Sequence, residues 1–182
     1  MAYTVGYTQK MLNKFNAKLV VDGAKGKKTL FWLKGLQSAG KLKVDGIYGP
    51  KTHEYTMKLL KAVNKRAINV AHFKQAEFRC HCCGSLGPGI HINLLILLEA
   101  LRYKFGGRPV HINSGYRCTK HNNAVGGGTK SQHLYGNAAD IVIKGISPYA
   151  VWSSSNIYNV SGGVGKYSTF THVDCRGFRA RW

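Results

Sequence analysis

Acidic side chains are scarce in this chain. Seven Asp and Glu stand against 27 Lys and Arg, giving a formal net charge of +20 over 182 residues. The shortage restricts any carboxylate chemistry to Asp22, Asp45, Glu54, Glu77, Glu99, Asp140 and Asp174. The excess positive charge sets up a field that favours polyanions: nucleic acid, an anionic membrane surface, or a cell wall carrying anionic polymers and peptide carboxylates. It exceeds what solubility alone requires. The basic residues are spread along the chain instead of forming one arm, and no finger spacing or aromatic-basic module accompanies them, which argues against a specific nucleic-acid reader. Long apolar runs are missing too. The stretch from Ile92 to Leu98 is interrupted by Asn93 and is far too short to span a bilayer. The start, Met1 to Tyr7, has no charged segment followed by an apolar one, so no secretory leader is expected. Cysteines number five, an odd count that does not suggest a disulfide framework. Cys80-His81-Cys82-Cys83 has the makings of a soft metal clip, but no second pair at zinc-finger spacing stands out, and reduced cysteines near a turn are the expectation.

What is present is an ordinary apolar content, 44%, enough for a globular core. An internal repeat opens the chain. Asp22-Gly23-x-x-Gly26-x-Lys28-Thr29 recurs as Asp45-Gly46-x-x-Gly49-x-Lys51-Thr52, each copy a turn followed by a helix-like run. Thr29 and Thr52 stand where helix N-caps are expected. With a helix from about Thr8 to Leu19, the two units predict a small helical domain over residues 1–67. Ile68 to His72 reads as a linker, and a second domain is expected over residues 68–182. There, Asn93 to Phe105 predicts a helix with Leu94, Leu97, Leu98 and Leu101 on one face. Strands are expected at Pro109–Asn113, at Ala139–Ile143 and in a final pair ending at Asp174, with a helix over Pro148–Tyr158. The fold class is therefore α+β with a small antiparallel sheet.

Three short segments carry chemical potential: Ser114-Gly115-Tyr116-Arg117, Ser131 through Asp140, and His172-Val173-Asp174. Asp140 opens an apolar strand, where an unpaired carboxylate is costly and a cation would balance it. His133 sits in a turn just before it, and His172 ends a strand that can lie alongside. Two imidazoles and a carboxylate with one open position suit a catalytic zinc. Asp174 follows His172 at strand spacing and so shares its face. It is the candidate general base; the alternative is an acceptor that fixes the histidine tautomer. Glu99 is expected to pair with Arg102 on its own helix.

The same segments resemble a known family. Residues 73–182 are similar to the M15 zinc peptidases, the D-alanyl-D-alanine carboxypeptidase-like branch. The resemblance runs through Phe73-Lys74-x-x-Glu77-Phe78, Ser114-Gly115-Tyr116-Arg117, Val125-Gly126-Gly127, Ser131-x-His133-x-x-Gly136-x-Ala138-x-Asp140 and His172-Val173-Asp174. It implies zinc held by His133, Asp140 and His172, and a substrate-binding Arg117 with Ser114, Tyr116 and Ser131 around it. The turn Val44-Asp45-Gly46-Ile47-Tyr48-Gly49-Pro50 resembles peptidoglycan-binding modules of wall hydrolases. Together these imply hydrolysis of peptide bonds in bacterial peptidoglycan, in the manner of phage endolysins made in the host cytoplasm and released to the wall through a separate membrane pore. The alternative expectation is a non-catalytic binder of wall or polyanion that keeps a structural zinc.

Overall fold

Helix propensity and turn chemistry shape the first third of the molecule. The computed structural model describes residues 3–62, 66 and 68–182. Three helices, α1 (Val5–Asn13), α2 (Lys27–Ala39) and α3 (Pro50–Lys61), are joined by the two repeated turns. Each turn is organised by a buried glutamine that the repeat alone does not reveal. Gln9 Nε2 donates to Asp22 Oδ1 at 2.7 Å and to the Ala24 carbonyl, while Gln9 Oε1 accepts from Gly23 N. Gln37 does the same in the second copy, donating to Asp45 Oδ1 at 2.9 Å and to the Ile47 carbonyl, and accepting from Gly46 N. Gly23 and Gly46 both take positive φ, 74° and 70°, which glycine adopts without steric cost. The N-caps are Gly26 and Gly49, not the threonines. Thr29 and Thr52 lie inside the first turn, buried beside the glutamines.

Helix α4 (Ile92–Lys104) is buried on every side from Leu94 to Leu101, as a helix apolar all round must be. The single apolar face read from the sequence is therefore too narrow. α2 covers one flank and the sheet with α6 (Pro148–Tyr158) covers the other. The approach to α2 is close: a Cβ on Gly35 would lie 2.4 Å from Ala100 Cβ. Each fully buried leucine of α4 contributes about 1.5–3 kcal/mol. Glu99 is fully buried here and takes hydrogen bonds from Ser38 Oγ at 2.8 Å and His72 N at 2.9 Å, with His72 Nδ1 also at 2.9 Å. Those partners replace the expected Arg102.

Residues 1–67 and 68–182 are distinguishable in sequence, yet one apolar core runs from Leu12, Leu33 and Leu36 through α4 to Ile141 and Val173. The boundary at residue 67 lies outside the described residues. The segment Ile68–His72 is packed, with Val70 buried and Ala71 N donating to the Ala39 carbonyl at 3.0 Å.

The sheet has five strands, β1 (Val110–Ser114), β2 (Ala138–Ile143), β3 (Gly163–Lys166), β4 (Thr171–Asp174) and β5 (Ala180–Arg181), in the order β1-β2-β4-β3-β5. All pairings are antiparallel except β3 with β5. The expected α+β class is present. A short helix, α5 (Thr119–Ala124), and a 3₁₀ turn at Gln132–Tyr135 lie between β1 and β2.

Candidate metal centre

Sheet register brings the polar segments together. Ser114 pairs with Asp140, Asp140 with His172, and His172 with Gly165, so these residues form one row across four strands. Cross-strand partners share a face, which sets the Asp140 carboxylate beside the His172 ring. His133 arrives from the 3₁₀ turn. That turn closes on Gly136 at φ 65°, where a Cβ would strike the Gly89 carbonyl oxygen at 2.1 Å.

His133, Asp140 and His172 are all buried, and their donor atoms form a group able to hold a metal ion. His172 Nδ1 lies 2.9 Å from Asp140 Oδ1, His133 Nε2 lies 3.3 Å from the same oxygen, and the two ring nitrogens are 3.2 Å apart. Ligand atoms about 2.0–2.1 Å from a tetrahedral zinc stand roughly 3.3 Å from one another. The three donors thus match one face of such a tetrahedron, and the residues fit the ion.

The outer hydrogen bonds fix which nitrogens face inward. His133 Nδ1 donates to the Gly115 carbonyl at 2.6 Å, leaving its Nε2 lone pair for the centre. His172 is reversed. Its Nε2 donates to Asp174 Oδ2 at 3.1 Å, leaving Nδ1 inward. Such outer partners set tautomer and ring orientation in metal sites. Burial pushes Asp140 upward, but the His133 and His172 rings beside it outweigh that and hold the carboxyl well below the ordinary range. Burial lowers the His133 pKa; it opposes charge on His172 as well, but there Asp140 and Asp174 prevail and the pKa is raised.

Asp174 does share the face of His172. It is fully buried, and its oxygens accept from Gly163 N at 2.7 Å, from Arg176 N, and from Arg176 Nε and NH2 as well as from His172. The carboxylate therefore meets the ring on the nitrogen pointing away from the donor triad. Gly163 is required there, because a Cβ would lie 2.2 Å from Asp174 Oδ2.

Beside the triad opens a cleft of about 460 Å³. Arg117 and Ser131 line it. Arg117 Nε donates to Ser114 Oγ at 2.8 Å, and its NH2 donates to Asp140 Oδ2. Ser114 thus steadies the arginine. Tyr116 is turned away, its ring packed over Gly87, where a Cβ would lie 2.3 Å from it. Glu77 caps its own 3₁₀ turn by accepting from Lys74 N.

Among the lining residues that carried no expected role are Tyr167, Phe170, Arg176 and Trp182. Tyr167 and Phe170 stack with centroids 4.3 Å apart, Trp182 Nε1 donates to the Tyr167 hydroxyl at 2.9 Å, and the Trp182 ring lies 5.0 Å from His172. The signal for them was their closeness in sequence to His172: Tyr167 and Phe170 lie in the loop between β3 and β4, Arg176 follows β4 and Trp182 follows β5. Cys175 stays out of the cleft. Its thiol donates to the Asn137 carbonyl, and burial pushes its pKa up to about 12.

Comparison with known proteins follows the same geography. The peptidase M15 family profile matches residues 71–174. The zinc D-Ala-D-Ala carboxypeptidase of Streptomyces albus G is 34% identical over 133 residues, which are 69% of this chain and 51% of that protein. The chain spans about half the length of that curated relative.

Proposed function

Because the chain belongs to the peptidase M15 family, we propose that it is a zinc-dependent peptidase that hydrolyses peptide bonds in bacterial peptidoglycan. The observation that carries this reading is the match between the His133, Asp140 and His172 donor atoms and one face of a zinc tetrahedron, at the floor of an open cleft. The relative from Streptomyces albus G, named for zinc and for D-Ala-D-Ala, points to the same substrate class. No helix among the described residues is long and apolar enough to cross a membrane.

When bound, zinc supplies Lewis-acid activation of a water and of the scissile carbonyl. The chain's own residues do the rest. Arg117, held by Ser114 and Asp140, offers its guanidinium at the cleft to a carboxylate of the stem peptide, a charge-assisted contact whose planar fork lysine does not reproduce. Ser131 adds a hydroxyl at the rim. Tyr167, Phe170 and Trp182 form an aromatic wall that orients the peptide and excludes water. Asp174 locks His172 with Nδ1 inward. Its saturation by Arg176 and Gly163 favours this positioning role over that of general base.

The wider role we propose is wall lysis of the endolysin kind. The repeated turns of residues 1–67 and the net charge of +20 would hold the enzyme on an anionic wall. Digestion of purified peptidoglycan, followed by mass spectrometry of the fragments, tests the activity and identifies the bond. New amino and carboxyl termini on the stem peptides, lost with a chelator and restored by zinc, are expected. Undiminished cleavage by metal-free protein would end the proposal.

A further inference from the structure

Outside the cleft, the described residues contain a second group of metal-binding atoms. The sulfurs of Cys80, Cys83 and Cys118 all fall within 4.8 Å of one another. We propose that these three thiolates, with His121 Nδ1 as fourth ligand, bind a structural zinc ion that staples the turn at residues 80–85 to the loop carrying Arg117.

The second pair that a zinc clip needs is present, far away in sequence. Cys80-x-x-Cys83 and Cys118-x-x-His121 have the same spacing, one suited to two ligands gripping one ion. His121 Nδ1 lies 3.4 Å from Cys80 Sγ. Thiolates bound to one zinc at about 2.3 Å stand roughly 3.8 Å apart, so the three sulfurs, all within 4.8 Å of one another, need only a small closure. The backbone already serves the sulfurs: Cys118 N donates to Cys80 Sγ and His121 N to Cys118 Sγ, both at 3.4 Å. The first pair is folded into a turn. Gly84 N donates to the Cys80 carbonyl and Cys80 N to the Ser85 carbonyl, each at 2.8 Å, with Gly84 at φ 68°. Three soft sulfurs and an imidazole select zinc over calcium or magnesium, and four protein ligands close the shell, as structural zinc requires.

The position gives the ion a purpose. Cys118 directly follows Arg117, and Tyr116 N donates to the Phe78 carbonyl at 2.9 Å, two residues before Cys80. The Gly115 carbonyl, on the same loop, is the outer partner of His133. A staple here would hold both the carboxylate-binding arginine and one ligand of the catalytic centre. Cys82 is the competing sulfur. It is exposed, and its Sγ lies 3.9 Å from Cys118 Sγ.

Metal counting on the reduced full chain tests the assignment without any measure of hydrolysis, so the peptidase reading can fail while this one stands. The wild-type chain is expected to hold two zinc ions and His133→Ala one. Cys83→Ser is expected to keep only the ion at His133, and Cys82→Ser to keep both. His133→Ala protein loaded with cobalt(II) is expected to absorb strongly in the near ultraviolet through thiolate-to-metal charge transfer. That spectrum needs no cysteine variant, so it decides the matter even if Cys83→Ser does not fold. A single zinc in the wild type that His133→Ala abolishes would overturn the proposal. So would a cobalt spectrum without the thiolate band.

Discussion

The repeated turns and the metal centre are both built by polar side chains buried against backbone, yet they end differently. In the turns, Gln9 and Gln37 spend donor and acceptor on their own loops. At the centre, the outer hydrogen bonds to Gly115 and Asp174 push two imidazole lone pairs inward, toward the Asp140 carboxylate. A network that closes on itself holds a shape. One whose acceptors converge on a common point holds a cation. The difference lies in the direction of unused lone pairs, not in the amount of polarity buried.

Substitutions can break that contrast from either side. The largest effect is expected from His133→Ala, which removes one of three ligands: bound zinc at the centre and peptidoglycan hydrolysis should vanish together while the circular dichroism spectrum holds. Asp174→Asn comes next. If Asp174 orients His172, zinc affinity should weaken by about 10–100-fold, read by competition with a chelator. A fall in kcat of about 10²–10⁴-fold with zinc still tightly bound would instead make Asp174 the base. Arg117→Lys should keep metal and fold but lose about 1.5–3 kcal/mol of transition-state binding, measured as kcat/KM on a soluble muropeptide. The smallest change is expected in the turns. Gln37→Leu leaves Asp45 and Gly46 without their partner and should lower unfolding free energy by about 1–3 kcal/mol in urea, with activity per folded molecule unchanged. Lost activity at full stability would show that the turns do more than hold shape.

The sequence makes the candidate donor triad legible because each member carries a local signal: His133 before a turn glycine, Asp140 heading an apolar strand, His172 on a strand that could lie beside it. The facing of Asp174 was legible too. Its contact with the His172 ring was one of two readings the sequence allowed; which ring nitrogen it meets was not legible, because strand alternation fixes only a face. Glu99 was misread for a similar reason. Helical spacing offered Arg102, while burial under α2 brought Ser38 and His72, which are remote in sequence. Tyr116 was expected beside Arg117 in the cleft, but adjacent residues leaving a strand point opposite ways. Gln9 and Gln37 stand at different distances from their turns, so no fixed repeat exposes them.

The encasement of α4 sets a clock on the molecule. Its amides are covered by α2 on one flank and by the sheet and α6 on the other. No local fraying can bring solvent to them without parting the helical and sheet halves. Hydrogen exchange from Leu95 to Leu98 should therefore proceed only through global unfolding, making these the slowest protons in the chain and a direct gauge of its total stability.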